Sequence, residues 1–211
     1  MKVCKLLVIS KILLSTLLIS FFLFSCAYFN TLYNARKLYN EAEKNREKMS
    51  SGKELRSKYQ EVVKKCARLI SDYPNSRWVD DAVFLMGKAL IRQGELSKGI
   101  RKFTELTINF PESDYVPRSL YWLAYAHFEK KEYNQALVFI NRFLETYPKH
   151  DFRYRVAFLA GDINGELGNN EEALSFYSLV AEEASNRDVL DEAVLKSADL
   201  FFALENWEKA A

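Results

Sequence analysis

The sequence predicts an all-α fold, an α-solenoid of antiparallel helix pairs with a 37-residue period. Three observations predict it. Pro74, Pro111 and Pro148 stand 37 residues apart, each behind an aromatic residue: Tyr73, Phe110 and Tyr147. Small residues recur at the same interval, as Gly87, Ala124, Gly161 and Ala198 and again as Gly99, Ala136, Ala173 and Ala210. Large residues do the same at Phe103, Ile140 and Tyr177, with a looser column at Met86, Leu123, Ala160 and Ser197. Several columns in one register mark stacked units, because no such unit buries its apolar face alone.

The chain opens differently. Lys2, Lys5 and Lys11 precede an apolar block, Ile12 to Phe24, with no acidic residue before Cys26. A basic start followed by an apolar run reads as a secretory signal over residues 1–25. An uncleaved span is the other reading, since Leu6 to Phe24 comes near the roughly 20 residues a span needs. The abrupt stop at Ser25-Cys26 separates the two. Leu23-Phe24-Ser25-Cys26 resembles the bacterial lipobox, with Phe24 bulkier than the residue usual at its position. That resemblance implies that Cys26 is lipidated and becomes the N-terminus. Several acyl chains at ~0.8 kcal/mol per buried CH₂ then give a stable anchor.

Residues 26–52 carry the anchor and the first helix of a degenerate repeat, with an apolar stripe at Leu32, Ala35, Tyr39 and Ala42. The solenoid proper is expected over residues 53–211, beginning with a helix from Glu54 to Ile70. In the next unit Val83, Met86, Gly87 and Leu90 show i, i+3, i+4, i+7 spacing. After "RQGE" a second helix puts Gly99, Ile100, Phe103 and Leu106 on one face. One small residue per helix lets the two approach to the close end of the ~8–10 Å interaxial range. Each proline ends a second helix by disfavouring α geometry in the residue before it. Asn75-Ser76, Ser113-Asp114 and Asp151 are the expected N-caps of the next helices, and Pro117 suits a first turn. The last copy has Ser185 in place of the proline and is incomplete, so the reading frame is expected to continue past Ala211.

Charge and cysteine content narrow the function. Of 30 basic and 28 acidic residues, residues 1–25 hold three basic and none acidic, leaving 27 against 28. That balance gives no footprint for nucleic acid. Basic residues between Lys44 and Arg68 alternate with Glu41, Glu43, Glu47, Glu54 and Glu61, as on a solvated helix face. Cys4 leaves with the signal and Cys26 carries lipid, so Cys66 is a core residue without a disulfide partner. No catalytic, cofactor-binding or metal-binding residues are expected. His127 shares a column with Leu90, Asn164 and Phe201, and His150 stands in a loop beside Lys149. Neither has cysteine or carboxylate at ligand spacing. "GDINGELG" lies within and after a helix rather than after a strand, and is no phosphate loop. The sequence does not read as an enzyme.

"AVFLMGKALIRQGELSKGIRKF", "SLYWLAYAHFEKKEYNQALVFI" and "VAFLAGDINGELGNNEEALSFY" resemble the tetratricopeptide repeat over Lys53 to Ala211. The resemblance implies a right-handed α-solenoid whose first helices line a concave groove. Projected onto this chain, a peptide-binding groove takes Phe84, Lys88, Ile91, Tyr121, Tyr125, Phe128, Phe158 and Asp162. Arg92, Glu129 and Glu166 lie on the same projected surface. Phe84, Tyr121, Phe158 and Leu195 form its apolar column, which fills either the groove or the space between helices. Together with the anchor, the repeats resemble the BamD/YfiO group of outer-membrane lipoproteins, the repeat subunit of the β-barrel assembly machine. That implies a periplasm-facing scaffold anchored in the outer membrane, and Ala27 after the cysteine agrees with that destination. Its partners would be assembly subunits or unfolded barrel proteins. An envelope scaffold for peptidoglycan coordination, secretion or pilus assembly is the alternative.

Overall fold

The computed structural model describes residues 30–46, 52–183 and 187–203. The expected signal over residues 1–25, the lipid site Cys26, Ser185 and Ala210 lie outside the described residues. The described residues form nine α-helices and no strand. They are α1 (30–44), α2 (Gly52–Asp72), α3 (Val79–Arg92), α4 (Leu96–Asn109), α5 (Val116–Glu129), α6 (Tyr133–Thr146), α7 (Arg153–Glu166), α8 (Asn170–Glu183) and α9 (Arg187–Ala203). Among the described residues no helix is long and apolar enough to cross a membrane. The helices divide into two compact units between Gln93 and Gly94.

In the first unit α1 to α3 share one core. The expected stripe of α1, Leu32, Ala35, Tyr39 and Ala42, is buried. It meets Tyr59, Val62, Cys66 and Leu69 of α2 and Ala82, Leu85 and Ala89 of α3. The α2 positions fall at i, i+3, i+7 and i+10, one stripe of a 3.6-residue helix. Polar contacts add register: Arg36 pairs with Asp81, and Glu43 accepts from Tyr59 and lies 3.2 Å from Arg92 Nε. Burial pushes the Cys66 thiol up to about 12, so it rests neutral among apolar neighbours.

In the second unit each helix from α4 to α9 packs on the next, and α5 also touches α7. The small-residue columns sit where helices meet: Ala124, Ala136 and Ala173 are fully buried, and Phe103, Ile140 and Tyr177 are buried beside them. The connections repeat as faithfully as the helices. Phe110 N–H donates to Leu106, Ser113 to Phe110 and Val116 to Ser113, and 37 residues later Tyr147, His150 and Arg153 make the corresponding three bonds. Ahead of α3 in the first unit, Tyr73, Ser76 and Val79 do the same.

The cap expectation needs one correction. The N-cap positions are Trp78, Tyr115 and Phe152, none with a side-chain cap. The side chains that accept are two residues earlier, Ser76, Ser113 and His150, each bonded to the N–H of its cap residue. His150, not Asp151, is therefore the equivalent of the serines, with its Nδ1 as acceptor. A short side chain that closes a turn onto the backbone two residues ahead can do so before the helix begins. Pro117 is in the first turn of α5, as expected.

Candidate functional site

The eight projected groove residues meet different fates. In the first unit Phe84 and Ile91 are 8% and 4% exposed, because α3 is buried nearly all round. The groove expectation is corrected there: neither side chain offers surface. Lys88 folds its ammonium 4.2 Å above the Tyr39 ring and 5.9 Å from that of Phe84. Arg92 reaches Glu43.

The other five lie in the second unit, all half-buried. Tyr121 stacks on Tyr125 at 6.3 Å and meets Phe152 edge-on at 5.0 Å. Both tyrosines flank buried Trp122, which stacks on Phe103 at 6.1 Å. Arg155 lies over Phe152 at 5.3 Å. Aromatic pairs at these separations favour offset and edge-on geometry, which holds rings in place while leaving one side open. Farther along α5, Phe128 leans on Tyr133 at 5.9 Å, and on α7 Phe158 leans on Tyr177 at 5.7 Å.

Asp162 is the polar centre of this surface. It accepts from the Tyr177 hydroxyl at 2.8 Å and from Lys196 Nζ at 2.5 Å. Lys196 also lies 4.9 Å from the Phe158 ring centroid. Burial, reinforced by the bond to Asp162, pushes the Tyr177 phenol well above its ordinary range, so it remains a donor. Glu166 accepts from Tyr133 at 3.1 Å. Around these groups α5, α7, α8 and α9 leave an open cleft of about 370 Å³, with Phe128 and Leu200 as apolar walls and Asp162, Glu166, Lys196 and Asp199 on its rim. The sequence reading placed Phe128, Asp162 and Glu166 here and missed Tyr177, Lys196 and Asp199. Asp199 was within reach, since it lies one period after Asp162.

Both histidines are held in local contacts. His127 Nδ1 lies 2.6 Å from Glu132, and the ring stacks on Phe139 at 5.4 Å. His150 packs edge-on against Phe143. Among the described residues no group of His, Cys, Asp and Glu gathers as a metal site would require.

The comparisons with known proteins agree on the fold. MamA aligns over 80% of this chain and 87% of its own, with TM-score 0.60 and 14% identity. BtubC (BKLC) from P. vanneervenii aligns over 87% of each chain, with TM-score 0.65 and 14% identity. A kinesin light chain from Podosopora anserina with nearly identical TPR-like repeats aligns over 85% of this chain and 90% of its own, with TM-score 0.63 and 12% identity. At such identities the likeness is one of fold: tetratricopeptide-like helix pairs. No curated protein matches the chain. Residues 82–202 match the family described as YfiO, outer membrane lipoprotein. They make up more than half of the 211 residues, and the chain therefore belongs to the YfiO outer membrane lipoprotein family.

Proposed function

We propose that this protein is a lipid-anchored scaffold on the periplasmic face of the outer membrane, holding partner subunits or unfolded barrel proteins during β-barrel assembly. Cys26 carries the lipid once residues 1–25 are removed. The observation that carries the binding half is the half-buried row Tyr121, Tyr125, Phe128 and Phe158 on the adjoining helices α5 and α7, with Asp162 beside it. Rings fixed by their neighbours and open on one side give an extended or helical peptide apolar pockets at little ordering cost. Repeat helices supply the rigid frame, and no step of bond chemistry is asked of it.

Purification of the wild-type protein in detergent is expected to bring down a barrel-forming outer-membrane partner. Tyr121→Ala and Phe158→Ala are expected to weaken that capture about thirtyfold, the ~2 kcal/mol of an interface anchor, with little change in melting temperature. A peptidoglycan, secretion or pilus partner in place of the barrel protein would overturn the assignment. Stability losses of ~3–5 kcal/mol in both variants would show the rings to be core.

A further inference from the structure

The cleft between α5, α7, α8 and α9 has a charge pattern that names its occupant more narrowly. Asp162 and Asp199 occupy the same register one period apart, and Glu166 lies one turn beyond Asp162 on α7. Against these three carboxylates the described residues of the rim set one ammonium, that of Lys196. Glu192 of α9 adds negative potential close enough to act on Tyr177. Lys196 already displays the surroundings a cation finds there: a carboxylate oxygen at 2.5 Å and an aromatic face at 4.9 Å. Carboxylate and ring face attract an ammonium or guanidinium together. Phe128 and Leu200 offer the apolar wall beside it. The space of about 370 Å³ lies within the ~300–1,000 Å³ of ordinary ligand clefts and holds a few side chains rather than a folded domain.

We propose that this cleft seats a lysine or arginine flanked by an apolar residue, on an extended internal segment of a partner protein, and disfavours a segment end that presents a free carboxylate. The proposal rests on the peptide-scaffold reading above and specifies its ligand. An incoming cation shares or takes the place of Lys196 against Asp162, with Glu166 and Asp199 closing over its charge. A terminal carboxylate in the same place would meet three like charges, which steer it away.

The test uses the full chain and three fluorescent decapeptides read by anisotropy. One alternates phenylalanine and lysine and is blocked at both ends; the second has glutamate for lysine; the third is the first with a free C-terminal carboxylate. The blocked basic peptide is expected to bind at least about tenfold more tightly than the acidic one, with affinity falling as salt rises. The free-carboxylate form should be the weaker of the two basic peptides. Asp199→Asn and Glu166→Gln should each weaken the basic peptide several-fold without changing the melting temperature. Lys196→Gln, which removes the competing ammonium, should tighten it, an effect no merely structural lysine would give. Equal binding of basic and acidic peptides, or weaker binding with Lys196→Gln, would overturn the proposal. In either case a barrel partner that still copurifies with wild type and is lost with Tyr121→Ala leaves the scaffold reading standing, so the two failures are distinguishable.

Discussion

At Gly161 a Cβ would lie 2.5 Å from Cε1 of Tyr177, and that ring is pinned by its hydroxyl to Asp162. The small-residue column and the large-residue column are thus two sides of one contact between α7 and α8. At Gly165, one turn along the same helix, a Cβ would meet nothing within 4 Å. Alanine gains ~1 kcal/mol over glycine inside a helix, while overpacking a fixed neighbour costs ~1–3 kcal/mol. Gly161→Ala is therefore expected to lower stability by up to ~2 kcal/mol in urea unfolding, and Gly165→Ala to raise it by up to ~1 kcal/mol. Losses of equal size would show that crowding against Tyr177 is not what keeps position 161 small.

At the scale of the helix ends, one turn geometry recurs at positions 94, 131 and 168. Gly94 and Gly168 have φ of 80° and 77°, and Lys131 has φ of 60°. Lys131 N–H donates to Phe128 and Glu132 N–H to His127, the paired bonds of a Schellman motif closing α5. Gly168 and Asn169 close α7 the same way onto Gly165 and Asn164. Side chains repeat the link, as His127 with Glu132 and as Asn169 donating to Asn164, which explains why a histidine and a buried asparagine share a column. Hydrogen bonds from Lys130, then His127, hold the Glu132 carboxyl below its usual range. A β-carbon in the left-handed region costs roughly 1–2 kcal/mol, and glycine returns ~0.4–1 kcal/mol of that through its freer unfolded chain. Lys131→Gly is expected to stabilise by ~0.5–1 kcal/mol, read as a higher urea midpoint at unchanged slope; a lower midpoint would mean that the lysine side chain does more for the turn than its backbone costs.

Across the whole molecule, buried phenols set a limit at alkaline pH. Tyr39 and Tyr59 in the first unit and Tyr177 in the second all have their pKa raised from 10.0, chiefly by burial. A raised phenol favours the folded state while protonated, so its contribution is complete below the unfolded value near 10 and is lost as pH rises beyond it. The thiol of Cys66, pushed up to about 12, acts in the same direction. Phenolate absorbance is expected to include a cooperative step that coincides with loss of helical circular dichroism. A single smooth titration with the helix signal intact would show that the three buried hydroxyls are open to solvent.

Much of this fold is written in local rules that act within one turn or one period. A 3.6-residue stripe put Leu32, Ala35, Tyr39 and Ala42 in the core, and the 37-residue ruler located the helices, the close contacts and the proline-ended connections. Side-chain size and backbone preference travel with the residue, so spacing alone reveals them. The matching YfiO family agrees with the resemblance that those motifs carry. What covers each side chain is decided elsewhere. Phe84 and Tyr121 stand in one column, yet Phe84 is buried and Tyr121 half-open, because α3 is enclosed nearly all round and α5 keeps one side free. His150 accepts where Asp151 was expected because the turn aims the earlier side chain at the Phe152 N–H. Asp162 is one projected groove position among several until folding brings Lys196, 34 residues away, and Tyr177 onto it. Period and composition determined the helix-pair scaffold; tertiary packing decided which of its repeated positions became surface, because exposure depends on neighbours that the repeat does not copy.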